Sequence, residues 1–129
     1  MIKIDVHYRS PSINDKQYLK HLADIGIFDK QLDVWAFAAA YALKNGLSDE
    51  FDKLPGKRED MTELDHLDET TLKILLIALE TYKPELTQQE TSVVVKELST
   101  LASVGLAAIR EEVKNSSLNE IYEFLLKQA

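Results

Sequence analysis

Three histidines and a scatter of carboxylates are the side chains of this sequence with the most obvious capacity for chemistry. His66 stands beside Asp65 and Asp68, and three such ligands in one loop could hold a divalent cation. A solvated loop before a helix explains the same residues, because negative charge is favourable at a helix N-terminus. His7 and His21 have no second histidine three or four residues away. The sequence therefore predicts no metal site and no cofactor.

Catalytic motifs are missing as well. The chain has no cysteine, which excludes disulfides, thiolate zinc sites and cysteine nucleophiles and is typical of a reducing cytoplasm. Its four glycines are far apart, whereas a phosphate-binding loop needs several close together. No nucleophilic-serine elbow occurs. We therefore expect a protein that is not an enzyme and has no catalytic or cofactor-binding residues.

The charge of the chain argues against binding to a phosphate backbone, and the lengths of its apolar stretches argue against a membrane. The net charge of −7 is spread over both halves, and no basic cluster of the kind that binds a phosphate backbone is present. The unbroken apolar stretches at 34–43 and 74–79 are far shorter than the ~20 residues that span a bilayer. The first ten residues are charged and do not resemble a signal peptide. These features predict a cytoplasmic protein that does not enter a membrane.

Helical periodicity dominates the rest of the sequence. It predicts an all-α fold, a compact bundle of five to six helices with a short N-terminal extended arm or strand, in a single domain over 1–129. The arm covers 1–11, and a charged irregular connection with an optional short helix at 49–54 covers 47–67. The predicted helices cover about 14–25, 30–44, 68–82, a long segment ending near 114, and the C-terminus from about 118.

Local signals set the helix boundaries and one helix crossing. Asp68 is predicted to cap the third helix, and the segments 87–90 and 117–120 read as capping boxes before the fourth and fifth. The helix at 30–44 is apolar nearly all round, which predicts a buried position for Trp35. Gly105 costs a helix about 1 kcal/mol relative to alanine and so indicates a close helix crossing or a kink.

The N-terminal residues alternate between apolar and polar side chains, as a strand or extended arm does. Two predicted helices follow, which gives the outline of a ribbon–helix–helix unit, a fold that binds DNA as a dimer. Aspartate in the groove would face phosphate repulsion, although it can accept a hydrogen bond from cytosine. The residues predicted to contact DNA or a protein partner are Lys3, Asp5 and His7 in the arm and Lys57 and Arg58 in the connection.

The chain also resembles a known family. The segments IFD at 27–29, DVWAFAAAYALKNG at 33–46 and the helix at 96–109 are similar to a signature of small proteins encoded beside bacterial DNA phosphorothioation (Dnd) genes. The resemblance would cover nearly the whole chain. The chain departs from the pattern at Tyr41-Ala42, where a glycine-containing pair is common, and at Gly105, which stands where two glycines are usual. The resemblance implies an accessory role in a DNA-modification defence locus and supplies no catalytic residues.

These observations lead to one expected function and one alternative. We expect a non-enzymatic accessory or protein-interaction protein that acts in a phosphorothioation-linked defence locus and has a protein partner. The alternative is a dimeric DNA-binding regulator that uses the ribbon–helix–helix-like arm. A homodimer is compatible with the sequence in either case.

Overall fold

A computed structural model of the chain describes residues 1–7, 10–47 and 54–128. In these ranges the chain forms five α-helices, two short 3-10 helices and one two-stranded antiparallel sheet. The predicted helical bundle is therefore confirmed with five α-helices, and the small sheet makes the fold predominantly rather than purely all-α. The helices are α1 (Lys16–Ala23), α2 (Gln31–Lys44), α3 (Glu69–Tyr82), α4 (Thr91–Val113) and α5 (Leu118–Gln128), and the strands are β1 (Ser12–Asn14) and β2 (Arg58–Asp60).

The core is built on the crossing of α2 and α4. Trp35 of α2 is fully buried, as its helix's apolar circumference predicts. At the crossing, a Cβ atom on Gly105 would lie 1.9 Å from the carbonyl oxygen of Ala38. The glycine is thus required by the close approach of two helix backbones, which confirms the predicted crossing. α4 is long and apolar enough to span a membrane, but 61% of its most apolar stretch is buried inside this domain.

β1 lies between β2 on one side and α4 on the other. It pairs antiparallel with β2, with Ile13 opposite Glu59. On its other edge, the backbone N–H of Ser12 donates to Ser99 Oγ at 3.0 Å, and that of Asn14 donates to Ser103 Oγ at 3.0 Å. Two serines four residues apart on a helix are about 6 Å apart along its axis, close to the ~6.7 Å between alternate strand residues. The helix therefore presents its hydroxyls in register with the strand.

α1 begins at Lys16 rather than at about residue 14, because the preceding residues Ser12–Asn14 form β1. Three residues are too few to show a strand period in the sequence. α1 begins after Asp15, whose φ of 70° places it in the left-handed region. Its side chain makes no cap hydrogen bond; it forms an ion pair with Arg110 of α4, whose guanidinium lies 5.0 Å from the centre of the Tyr18 ring.

Two of the predicted helix caps are confirmed. Asp68 accepts a hydrogen bond from the backbone N–H of Thr71 at 3.0 Å at the start of α3. The box before α5 is reciprocal: Ser117 N–H donates to Glu120 Oε1 at 3.0 Å, and Glu120 N–H donates to Ser117 Oγ at 3.3 Å. These hydrogen bonds stabilise the carboxylate and lower the pKa of Glu120.

The third predicted cap is wrong. Thr87 lies inside a 3-10 helix, Pro84–Gln88, and its hydroxyl donates to the carbonyl of Pro84 at 2.9 Å. α4 begins four residues later at Thr91, with no side-chain cap at Glu90. Pro84 follows the end of α3 and opens a new 3-10 turn, which the capping-box pattern could not reveal.

The N-terminal arm has the predicted alternation without forming a strand at 1–5. Ile2 is 3% exposed, and Ile4 and Val6 lie half-buried against the core, whereas the residues between them face solvent. The backbone N–H of Ile2 donates to Glu80 of α3 at 3.0 Å, and that of Asp5 donates to Thr91 at 3.1 Å. The arm is therefore held by helices of its own chain.

The predicted irregular connection contains more structure than its composition indicates. β2 lies within it, and a 3-10 helix follows at Leu64–His66. Met61, Leu64 and Leu67 are buried and tie its second half to the core. The short helix expected at 49–54 lies almost entirely outside the described residues.

Candidate functional site

The five predicted contact residues do not share one site. All are exposed. His7 joins a cluster of charged side chains, and Arg58 lines a polar cavity beside the sheet. Lys3, Asp5 and Lys57 belong to neither the cluster nor that cavity.

His7 meets two carboxylates of the connection. Its Nδ1 lies 3.2 Å from Glu63 Oε2 and 3.7 Å from Asp65 Oδ2, and His66 Nε2 lies 3.6 Å from the other oxygen of Asp65. The hydrogen bond to Glu63 and the charge of Asp65 raise the pKa of His7 above its ordinary value of 6.5. Asp65 is the member of the loop group suggested by the sequence that joins this cluster; Asp68 caps α3 instead, and His7 and Glu63 supply the other ligand atoms.

This cluster could hold a divalent cation. The ligand atoms of His7, Glu63 and Asp65 all lie within 4.8 Å of one another, and one nitrogen with two carboxylates is a set that transition metals accept. All three residues are exposed, and an imidazolium between two carboxylates already neutralises half of their negative charge. The arrangement can therefore act as a pH-sensitive clasp on the arm without an ion.

An apolar groove of about 710 Å³ lies between α2 and α3. Ile74 lines this groove and has 62% of its surface exposed, whereas the next residues of α3, Leu75 and Leu76, are buried in the core. We call this feature the α2–α3 groove. Its apolar lining consists of Phe28, Ala36, Phe37, Ala40, Ile74, Leu75 and Ala78.

One end of the α2–α3 groove is acidic. Asp29, Asp33 and Asp68 line it where α2 and α3 begin. Helix N-termini favour carboxylates, so this charge is partly a consequence of the helix ends. Lys30 is also present, but its ammonium donates to the carbonyl of His66. The groove thus joins an apolar surface to an end with a net negative charge.

A second, polar cavity of about 520 Å³ lies where the sheet meets α4, and we call it the sheet cavity. Arg58 Nε donates to Ser12 Oγ at 2.7 Å inside it. A smaller cavity of about 190 Å³ shares three of its lining residues and continues along α4 past Thr100 and Ser103. The sheet cavity is lined by Ser10, Ser12, Arg58, Asp60, Val95, Lys96 and Ser99.

Sequence reasoning found Arg58 but missed most of these residues. Ile74 makes the apolar face of α3 wider than a single core-facing stripe, and that excess width is the available sequence signal for the groove. Ser99 and Ser103 stand four residues apart in an otherwise apolar helix, which was the signal for the docked strand. Among the described residues, no serine or threonine hydroxyl is hydrogen-bonded to a histidine.

Comparison with known proteins gives no assignment: no family model, no curated protein and no solved structure matches the chain.

Proposed function

We propose that this chain is a non-enzymatic protein-interaction domain of the cytoplasm and that its α2–α3 groove binds a short amphipathic helix of a partner protein. The partner helix would carry apolar residues on one face and lysine or arginine at one end. The observation behind the proposal is the groove itself, an open apolar surface with an acidic end.

The dimensions of the groove suit a helix. From Thr71 to Ala78 the α3 wall contains eight residues, which is about 10 Å or two helical turns. A partner helix of two to three turns would place its i, i+3 or i+4, and i+7 side chains along that length.

Small side chains favour a close approach. Ala36, Ala40 and Ala78 line the groove, and the distance between packed helices is set by the side chains at their contact. Phe37 and Ile74 stand beside these alanines and would cover the flanks of a bound helix. An apolar concavity of this kind marks an interaction surface more often than scattered exposed apolar residues do.

The acidic end of the groove determines which end of the partner helix binds there. Asp29, Asp33 and Asp68 would attract a basic flank and repel an acidic one, which sets the direction of the bound helix. This contribution acts through solvent and should weaken as salt rises. A mixed surface of this kind favours a basic amphipathic segment over a purely apolar one.

We further propose that the partner acts in a DNA phosphorothioation-linked defence locus. The support is the resemblance at 27–46, a segment that supplies Phe28, Asp33 and Phe37 to one wall of the groove. The alternative of a dimeric DNA-binding regulator would require Ile2, Ile4 and Val6 to leave the core of their own chain to form a two-chain ribbon.

The test is photocrosslinking in the native cells. A photoreactive benzoylphenylalanine replaces Ile74 in the groove or, as the matched control, Leu118 on α5; these residues are 62% and 61% exposed. We expect a protein adduct at position 74 that survives nuclease, is absent at 118, and maps to an amphipathic segment containing lysine or arginine. Adding Asp33→Asn should weaken the adduct, whereas Glu123→Gln on α5 should leave it unchanged.

Three outcomes of the photocrosslinking would overturn the proposal. They are equal labelling at 74 and 118, an adduct with nucleic acid, and an adduct only with a second copy of this chain. If a basic amphipathic partner is found but is encoded away from any DNA-modification gene, the groove proposal stands and the defence-locus proposal is lost.

A further inference from the structure

We propose that the sheet cavity binds the phosphate group of a small phosphorylated molecule whose organic part carries hydroxyl groups. None of the cavity's residues lines the α2–α3 groove, so this inference is independent of the proposed protein interaction. It depends on a surplus of hydrogen-bond donors that the fold directs into one cavity.

Arg58 contributes most of that surplus. A guanidinium has five N–H donors, and only Nε has a partner among the described residues, the 2.7 Å hydrogen bond to Ser12 Oγ. This bond fixes the plane of the guanidinium, and its four terminal N–H groups, which have no partner among the described residues, can bind a ligand. Phosphate oxygens suit such a fixed fork, since arginine binds them in a bidentate manner.

Two buried serines add neutral donors. Ser12 Oγ accepts from Arg58, and Ser99 Oγ accepts from the backbone N–H of Ser12; the two residues are 5% and 2% exposed. A hydroxyl also has one hydrogen to donate, and neither serine donates to another described residue. By contrast, Thr100 and Ser103 on the same helix donate to the carbonyls of Lys96 and Ser99. The Ser12 and Ser99 hydroxyls at the cavity therefore have hydrogens that no described residue accepts.

The charges also favour an anion. Arg58 enters from β2 and Lys96 from α4, and Asp60 is the single carboxylate in the lining. Neither cation forms an ion pair with a described carboxylate. The lining is thus net positive in a chain whose overall charge is −7. That overall charge, together with Asp60, disfavours a long polyanion such as DNA, which needs an extended basic surface.

The geometry favours phosphate over carboxylate and gives Asp60 a role. Donors reach the cavity from both the sheet and α4, which suits the several outward oxygens of a phosphate better than the two of a carboxylate. A volume of about 520 Å³ exceeds the phosphate ion and falls within the usual ~300–1,000 Å³ of small-molecule sites. The Asp60 carboxylate accepts hydrogen bonds and would bind hydroxyl groups of the ligand, as in a sugar phosphate.

The test is an amide-resolved NMR titration of the full chain. The probes are inorganic phosphate, glucose 6-phosphate, glucose and a short DNA duplex. We expect glucose 6-phosphate to saturate at millimolar concentration with shifts at Ser12 and Ser99, phosphate to bind more weakly at the same amides, and glucose to have no effect. Arg58→Gln and Lys96→Gln should each weaken binding about tenfold or more, whereas Lys57→Gln, an exposed neighbour outside the cavity, should not.

Several results would overturn the inference. They are no saturable shift with either phosphorylated probe, equal loss in the Lys57→Gln and Lys96→Gln variants, or duplex DNA binding more tightly than glucose 6-phosphate at the same amides. Lys96→Gln keeps the test valid even if Arg58→Gln disturbs β1, because the Lys96 side chain makes no hydrogen bond to the sheet. An unchanged amide spectrum without ligand verifies the fold of each variant.

Discussion

α4 is contacted by α2 and by β1 in two chemically opposite ways. At the α2 crossing the backbones meet at Gly105 and Ala38, and no side-chain hydrogen bond is required because each helix satisfies its own backbone. At β1 the outer strand edge has free N–H groups, so Ser99 and Ser103 must supply acceptors. The first contact is limited by volume and the second by hydrogen-bond pairing.

The same difference explains why the two cavities have opposite chemistry. A gap between two helices is lined by side chains alone, and those of α2 and α3 are mostly apolar. A gap between a strand and a helix retains the polar groups that attach the strand, including the Ser12 and Ser99 hydroxyls. The positions of the α2–α3 groove and the sheet cavity thus follow from which elements meet there.

The largest expected effect comes from adding volume at the crossing. Gly105→Ala places a methyl group against the Ala38 carbonyl, which cannot rotate away, so the variant should lose about 3 kcal/mol of unfolding free energy despite its better helix propensity. Urea denaturation measures this loss. The opposite exchange at an exposed helical position, Ala40→Gly, should cost only about 1 kcal/mol. A Gly105→Ala protein as stable as the wild type would mean that the helices cross less closely.

Removing an acceptor tests the polar contact. Ser99→Ala leaves the buried Ser12 N–H without its partner and should cost about 2 kcal/mol. The Ser12 amide should also exchange faster with deuterium. Ser92→Ala, half-buried on the same helix but without a described hydrogen bond, should stay within about 0.5 kcal/mol of the wild type. Equal effects in the two variants would remove the distinction between the two contacts.

A third contact with α4 is peripheral and ionic. Arg110 pairs with Asp15, and their side chains are 49% and 11% exposed, so solvent screens the pair from one side. Arg110→Gln should therefore cost about 0.5–1 kcal/mol, less than Ser99→Ala, and the cost should decrease at high salt. If Arg110→Gln lost more unfolding free energy than Ser99→Ala, the surface ion pair would contribute more to stability than the buried hydroxyl, contrary to this expectation.

The smallest expected effect concerns the arm and pH. Because Glu63 and Asp65 raise the pKa of His7 above 6.5, protonated His7 stabilises the fold. This contribution is fully present below pH 6.5 and disappears as pH rises through the raised pKa. The stability difference between wild type and His7→Gln should shrink over that interval, and Glu63→Gln should lower the pKa of His7 in an NMR titration. If the stability difference between wild type and His7→Gln did not change with pH, the contact of His7 with Glu63 and Asp65 would not act as a pH-sensitive clasp.

Much of the helical fold could be predicted because it depends on local patterns. Asp68 and Ser117 cap helices through residues three positions away, and Gly105 signals a crossing by its type alone. β1 could not be predicted in this way, because three residues gain their structure from α4 serines almost ninety positions distant. The cap predicted at Thr87 is wrong for a related reason, because Thr87 belongs to the 3-10 helix that begins at Pro84 and its hydroxyl donates to the Pro84 carbonyl.

The sites were less predictable than the fold. Exposure and charge identified Arg58 and His7, but their neighbours come from elements remote in sequence. The arm's alternation correctly predicted that Ile2 would be buried, although the surface that covers it belongs to helices rather than to a paired strand. Periodicity reveals which face is buried and does not reveal what covers it.

The attachment of β1 to α4 also protects the chain from self-association. A strand edge that is already hydrogen-bonded cannot recruit an extended segment of another molecule, so in the part of the chain that the structure describes the remaining edge of the sheet is that of β2. β2 consists of Arg58, Glu59 and Asp60, three consecutive exposed charges of the kind that discourage edge-to-edge stacking. A two-stranded sheet with one edge attached to a helix and the other charged should resist amyloid-like assembly even at high protein concentration.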